Sequence, residues 1–312
     1  MIFHYLKIAF RNLCKHKTQN IISIIGLAVG LLCFCVCIYC SRFVESTDHC
    51  FANHDRIAEL NLYDGKADRY FSGSPVPLAE DLRTWALGET EAISSVTYPR
   101  ERPYYVELSP EKTLPYELET IEIDTCYNKI FTPELVAGHW KMASQSLNSV
   151  ILSQSMAIKI FGNAESAIGK HMTLMRRLNT SPESTPKTGG IVYTIQAVMK
   201  DIPLNNSLDF MQNIDMLTVN DSEGLLQSSK RHNMTGANTY VLLSPQTTCT
   251  DLEKQFSKRD YTYTLYGEAY TVTASSMGAR LKKQGASYLG LVTGTVGTLI
   301  LLVGLINFFH FL

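Results

Sequence analysis

Two long apolar runs bracket this chain. Ile21 to Cys40 contains no charged residue, and at 1.5 Å of rise per helical residue it spans roughly 30 Å, the thickness of a bilayer hydrocarbon core. Its eleven Ile, Leu, Val and Phe residues contribute on the order of −5 kcal/mol of insertion free energy. The run predicts a membrane-spanning helix. A second run begins at Leu289 and is still apolar at Leu312, which predicts a returning span.

Between them the pattern changes to short segments with strand and helix periods. Tyr, Val and Ile alternate with polar residues over Tyr104–Leu108 and Tyr116–Ile123, and Val150–Leu152 reads as a buried strand. Met172–Arg176 and Ile191–Met199 predict two more strands around the Pro-, Ser- and Gly-rich insert Leu178–Gly190, an exposed loop. Tyr240–Leu243 and the Tyr- and Thr-rich Tyr261–Thr273 complete the β content. Helices are expected over Pro77–Leu87, with Gly88 at its C-cap, and from Ser153 to Phe161–Gly162. A third is expected where Thr250 and Glu253 have capping-box spacing. The mixed order predicts an α+β domain, in one lobe or two, inserted between two transmembrane helices.

Before the first run, Phe3, Leu6, Phe10, Leu13 and Cys14 recur at helical spacing, with Lys7, Arg11 and Lys15 four apart on another face. This is the pattern of a basic amphipathic helix lying in the headgroup layer. The apolar run exceeds the roughly 7 to 15 residues of a signal peptide and lacks a small-residue cleavage site, so an anchor is expected. Lys7, Arg11, Lys15 and Lys17 precede it, while Arg42, Glu45 and Asp48 follow. The positive-inside bias therefore places the N-terminus in the cytoplasm and the large domain outside. Gly26 and Gly30, with Gly290 and Gly294, have the small-xxx-small spacing that lets helices approach closely in lipid.

Composition narrows the function classes. The 312 residues carry a formal net charge of −1, which argues against a nucleic-acid protein, since such a protein needs a basic surface. Of eight cysteines, five lie in or beside the first apolar run, and Cys50, Cys126 and Cys249 are left for the soluble part. This is not a disulfide scaffold. Asp48, His49, Cys50, His54 and Asp55 have ligand chemistry, but they read better as a turn leading into a strand than as a zinc site. Gly169-Lys170 is followed by His171 where a phosphate loop needs a hydroxyl, and neither a Gly-x-Ser-x-Gly elbow nor a His-Glu-x-x-His pair occurs. No catalytic, cofactor or metal residues are assigned.

Six stretches in consistent order resemble FtsX-like and MacB-like ABC transporter permeases. LKIAFRNLCKHKTQNIISIIGLAVG is similar to their basic helix and first span, and LLVGLINFF, which includes Asn307, to their second. DHCFANHDRIAELNLY, DTCYNKIFTPELVAGHW, VILSQSMAIKIFGNAESAIGKHM and IQAVMKDIPLNNSLDF resemble segments of the periplasmic core domain. The resemblance implies an interfacial helix over 1–19, a first span over 20–41, a periplasmic core domain over 42–286 and a second span over 287–312. It implies a subunit of the inner membrane that binds no ATP itself and couples a separate ABC ATPase to motion of its outer domain, for export or envelope processes. A homodimer, or pairing with a second permease half, and a periplasmic or envelope partner are implied too. Lys7, Arg11, Lys15 and Lys17 become candidate coupling residues, and Gly26, Gly30, Gly290, Gly294 and Asn307 candidate packing residues. Family members continue into two further spans, so the chain reads as a fragment, a split gene product or a degenerate copy. The alternative is a two-span receptor with an extracytoplasmic ligand-binding domain, which needs a cytoplasmic output module. A membrane-anchored enzyme would need a catalytic constellation.

Overall fold

The computed structural model describes residues 17–71, 73–85, 88–109, 112–145, 148–174, 190–209, 211–219, 237–265, 267–279 and 287–310. They fall into two compact units, one made of residues 1–47 with 280–312 and the other of residues 48–279.

The first unit is a helix pair. Helix α1 (Lys17–Glu45) includes a stretch of 22 residues, Ile24–Glu45, with mean hydropathy 2.5. That stretch is about 33 Å long, and among the described residues α1 is the one helix long and apolar enough to cross a membrane. Its large side chains, Ile24, Ile25, Val29, Leu31 and Leu32 among them, are exposed, as lipid-facing residues are. The later helix, Ser287–His310, contains the apolar stretch Gly294–Val303. Its Thr295 and Thr298 hydroxyls donate back to carbonyls of the preceding turn, including Leu291 and Gly294. Two polar groups are thereby satisfied inside an apolar helix.

The second unit is built on one 13-stranded sheet. After a 3-10 turn at His54–Arg56, β1 (Ile57–Asp64) and the short β2 (Arg69–Tyr70) form a hairpin. Helix α2 (Pro77–Thr84) leads to β3 (Thr90–Thr97), β4 (Arg100–Ser109) and β5 (Lys112–Ile123). Then come α3 (Tyr127–Phe131), β6 (Leu135–Gly138), α4 (Trp140–Gln145), β7 (Ser149–Ser153) and α5 (Gln154–Phe161). Strands β8 (His171–Leu174), β9 (Val192–Met199), β10 (Met216–Val219) and β11 (Ala237–Leu243) follow. Helix α6 (Cys249–Lys258), β12 (Thr262–Leu265) and β13 (Glu268–Ser276) close the unit, and Ser287–His310 is α7.

Part of the sheet closes on itself. Strands β4, β5, β10, β7, β9 and β8 are paired in a ring, sealed by the parallel register of Met216–Val219 with Thr120–Ile123. Side chains at period two fill its interior: Tyr104, Val106, Leu118, Val150, Leu152, Met172, Tyr193, Ile195 and Met216. The rest of the sheet is open and antiparallel, β3-β11-β1-β13-β12. One face of it is covered by Leu78 and Leu82 of α2 and by Leu252 and Phe256 of α6. Between ring and open part lies a third cluster, where Ile121, Ile123, Ile151 and Leu217 meet Val96, Tyr240, Tyr127 and Phe131. The mixed α+β domain is thus one sheet with a closed and an open part.

Several local expectations match the structure, and two need correction. Ser153 caps α5 by accepting from the Met156 amide, and Gly162 ends that helix at φ +87°. Helix α2 stops at Thr84, short of Leu87, and its C-cap is Trp85 in right-handed conformation, so Gly88 is not the cap. The capping box of α6 is made by Thr248 and Asp251. The Thr250–Glu253 pair does not form it, because Glu253 accepts from the Ala274 amide on β13 at 2.9 Å. Residues 1–16, with Lys7, Arg11 and Lys15, lie outside the described residues, as does all of the insert 178–190 except Gly190.

Candidate functional site

Asp48 is the first residue of the second unit and follows the last turn of α1, in which the Thr47 amide donates to the Val44 carbonyl. It is 3% exposed and adopts a left-handed backbone, φ +70°. Its amide donates to the Asn205 carbonyl at 3.0 Å. Its carboxylate accepts the Ser207 amide at 2.6 Å and the Ser207 hydroxyl. A buried carboxylate is tolerable only with such donors.

The loop that supplies them is braced internally. Asn206 is fully buried; its Nδ2 donates to the Pro203 carbonyl at 2.7 Å, and its Oδ1 accepts the Leu208 and Asp209 amides at 3.0 and 2.9 Å. The Met211 amide closes the loop onto the Leu204 carbonyl at 2.8 Å.

The segment leaving the second unit arrives at the same place. Gly278 has φ +74°, and a Cβ there would stand 2.7 Å from Asp48 Oδ2 and 3.3 Å from Ser207 Oγ. Only glycine permits both that backbone and that approach. One residue earlier, the Met277 amide donates to the Ile57 carbonyl at 2.9 Å. The incoming connection is therefore bonded to this loop, by groups that lie 159 residues apart in sequence, and the outgoing one packs against the same point at Gly278.

The neighbouring Asp48–Asp55 cluster is a turn. The His49 and His54 rings lie 4.5 Å apart, and His54 Nδ1 pairs with the Phe51 carbonyl at 3.2 Å. Desolvation, helped by the Asp48 carboxylate, pushes the Cys50 thiol up to about 11, so the reactive thiolate is scarce at neutral pH. Among the described residues no group of three or more His, Cys, Asp and Glu side chains is placed to hold a metal ion.

The helix pair has its own close approach. A Cβ on Gly30 would lie 3.2 Å from the Ile300 carbonyl oxygen and 3.4 Å from Leu301 Cα. One on Gly297 would lie 2.9 Å from Cys37 Sγ and 3.3 Å from Phe34 Cα. Gly26 and Gly294 meet nothing within 4 Å, because they lie off this seam. Gly290 and Asn307 belong to α7, and Lys17 opens α1; the surroundings of these three lie outside the described residues. Gly297, absent from the expected set, sits three residues after Gly294.

Two further buried ionic groups escaped the sequence. Asp124 accepts the Ser94 hydroxyl at 2.8 Å and the Ser95 and Cys126 amides at 2.9 and 3.0 Å. It also pairs with Arg83 of α2, which donates to the Ile93 carbonyl. Both carboxylate oxygens are engaged, so the group fixes α2 against β3 and β5. Arg102 and Glu122 pair on facing strands β4 and β5.

The sequence profile described as MacB-like periplasmic core domain matches residues 21–259. Among solved structures, a domain assigned to a permease protein from Porphyromonas gingivalis aligns at 22% identity, over 73% of this chain and 93% of that one, with a TM-score of 0.53. The periplasmic region of MacB from Actinobacillus actinomycetemcomitans aligns at 13% identity over 76% and 94% of the two chains, TM-score 0.46. The extracellular domain of the noncanonic ABC-type transporter YknZ from Gram-positive bacteria aligns at 11% identity over 70% and 99%, TM-score 0.42. No curated protein matches the chain significantly.

Proposed function

The chain belongs to the MacB-like periplasmic core domain family, and from that premise we propose that it is the permease subunit of an ABC-type transporter, transmitting motion from a cytoplasmic ATPase to its outer domain. In this reading α1 and α7 cross the inner membrane, the N-terminus is cytoplasmic and residues 48–279 are periplasmic. ATP is bound by the partner subunit, and this chain needs no cofactor. Lys7, Arg11, Lys15 and Lys17 hold the N-terminal segment at the anionic cytoplasmic surface. The working unit pairs two permease chains, as a homodimer or with a second half, and the outer domain meets an envelope partner.

The observation that carries the reading is the Asp48–Ser207–Gly278 fastening. A domain driven through its connections needs those connections tied to its body, or displacement dissipates in slack chain. Here the incoming connection is tied to the loop by charge-assisted hydrogen bonds at Asp48, and the outgoing one packs against the same point at Gly278 and bonds to β1 through the Met277 amide. Coupling then amounts to a biased equilibrium between two packings of similar free energy.

The test is purification of the tagged chain from membranes with its associated proteins. A Walker-type ATPase should co-purify, and Asp48→Ala should leave that complex and its basal hydrolysis intact while transport falls about ten-fold, the loss expected for a coupling of roughly 1.4 kcal/mol. Recovery of a kinase or cyclase in place of an ATPase would overturn the reading in favour of a receptor. Impermeant thiol labelling of the full chain gives the orientation: cysteines placed between Thr180 and Thr188 should react from outside and one at Lys17 should not.

A further inference from the structure

We propose that the edge of β12 is a docking site for an extended segment of a partner protein, added to the open sheet as a further strand with a lysine or arginine side chain seated against Asp81. It rests on the reading that the outer domain meets an envelope partner, and adds the surface and the chemistry that select that partner.

Strand β12 ends the open part of the sheet, and among the described residues it pairs with β13 alone. Leu265 faces Glu268 with two residues between them, a pair that closes a chain reversal by exchanging its own amide–carbonyl bonds. Alternation makes Tyr263 and Tyr270 the next such pair. It turns the amides and carbonyls of Thr262 and Thr264, both exposed, away from β13. The opposite end of the open part is treated differently. There the Ile93 carbonyl of β3 accepts from Arg83 Nε at 3.0 Å, the Ser95 amide donates to Asp124 at 2.9 Å, and Val96 faces Ile123 of β5. That edge is occupied by side chains and a neighbouring strand, whereas β12, Thr-Tyr-Thr-Leu, has no charge, proline or register shift of the kind that discourages pairing.

The occupant follows from charge. Tyr261, Tyr263 and Leu265 pack toward the face covered by α2 and α6. Asp81 of α2 is exposed there, close enough for its charge to raise the hydroxyls of both tyrosines. Among the described residues Asp81 has no cationic partner: Arg83 pairs with Glu80, and Arg259 lies over Trp85, 5.6 Å from the ring centroid, and donates to its carbonyl. In an added antiparallel strand, the residue facing Tyr263 occupies a non-hydrogen-bonded position, where side chains approach most closely. A lysine or arginine there lays its stem on the Tyr263 ring and brings its charge to Asp81. A second copy of this chain, paired about Tyr263, would instead bring two Asp81 carboxylates toward one another, and like charges across a strand pair oppose association.

The test uses the full chain in dodecyl maltoside and a fluorescein-labelled peptide, Ser-Thr-Val-Thr-Lys-Thr-Val-Thr-Ser, with a counterpart carrying Glu in place of Lys. Anisotropy titrations should show saturable binding of the Lys peptide, with the Glu peptide about five-fold weaker at low salt and the gap closing at high salt. Asp81→Lys should reverse the order. Thr264→Pro removes an outward amide and no bond to β13, and should weaken the Lys peptide about ten-fold. N-methylation of the two threonines beside the peptide's lysine should do the same with the protein untouched, and N-methylation of the lysine itself should not. Equal binding of both peptides, or a Lys preference that survives Asp81→Lys and N-methylation of the threonines, would overturn the proposal. Loss of a dimer in Thr264→Pro, with no peptide bound by the parent chain, would assign the edge to a second copy and overturn it too. A chain that brings down its ATPase and binds neither peptide would overturn the docking site and leave the permease reading intact; peptide binding without an ATPase would do the reverse.

Discussion

Asp48 shows how much one side chain can organise. Its carboxylate takes two hydrogen bonds from Ser207 and its amide gives one to Asn205, so Asp48→Ala strands two donors in a buried place. Hydrogen bonds to buried charges are worth about 1.5–3 kcal/mol each. Asp48→Ala should cost about 3 kcal/mol of outer-unit stability in urea unfolding, and Ser207→Ala, which keeps the amide bond, about half that. Equal losses would mean that the carboxylate acts through the hydroxyl alone. None of this was legible in the sequence. A single sequence groups Asp48 with its neighbours His49 and Cys50, because proximity along the chain is all that it offers. Its true partners Ser207 and Gly278 have no local pattern connecting them to it. Ser153 was the opposite case: its partner is three residues away, and capping is a local transaction that sequence records faithfully.

Helix α6 marks the limit of local reading. Thr248-Cys-Thr-Asp251 and Thr250-Asp-Leu-Glu253 both have capping-box spacing, and the choice between them was made by β13, which recruits Glu253 through the Ala274 amide. The two threonines are therefore unequal. Thr248→Ala should destabilise the outer unit by about 1 kcal/mol and speed amide exchange in the first turn of α6, whereas Thr250→Ala should do neither. In the helix pair the same ambiguity appears as a shift along the seam. Gly30→Leu would drive a side chain into the backbone at Ile300 and should part α1 from α7 at a cost of about 1–3 kcal/mol, read as lost crosslinking between Cys37 and a cysteine placed at Gly297. Gly26→Leu, which points into open space, should leave that crosslink unchanged. The glycine spacing announced close packing, but only the facing helix could say which glycine makes it.

At the scale of the molecule, the individual strands were readable from alternation and burial, while their closure into a ring was not. The parallel register of β10 with β5 joins segments roughly a hundred residues apart, and loop closure over such a distance leaves no mark on local composition. The same junction makes a pH prediction. Asp215, whose carboxylate accepts the Glu119 amide and whose own amide donates to the Glu119 carbonyl, is raised above its ordinary range chiefly by desolvation, as are Glu119 and Asp209. A raised carboxylate binds its proton more tightly in the folded state. Its contribution is full below the unfolded pKa of about 4 and is lost as pH rises through the raised value. Asp251 works in the other sense: bonds from Thr248 and Lys254 lower it to about 2, so its contribution is present above about 4 and lost only as pH falls toward about 2. Stability followed through Trp85 and Trp140, both in the outer unit, should rise from neutral pH into mild acid before acid unfolding. Asp215→Asn should flatten that rise.

The two strands that receive the membrane connections are themselves partners. Strand β1 follows Asp48, β13 precedes Gly278, and they run antiparallel with Ala58 opposite Ser276 at the connected end. A pull on both connections in the same direction is carried by the whole sheet at once. A pull in opposite directions falls first on the Met277–Ile57 hydrogen bond, then on the rung of Ala58 and Ser276, and peels the ladder open one rung after another. The Asp48–Ser207 bonds and the close approach of Gly278 lie beside the start of that tear. The outer unit is thus stiff toward joint displacement of its two connections and weak toward their separation, and it discriminates between two kinds of mechanical input before any partner is touched.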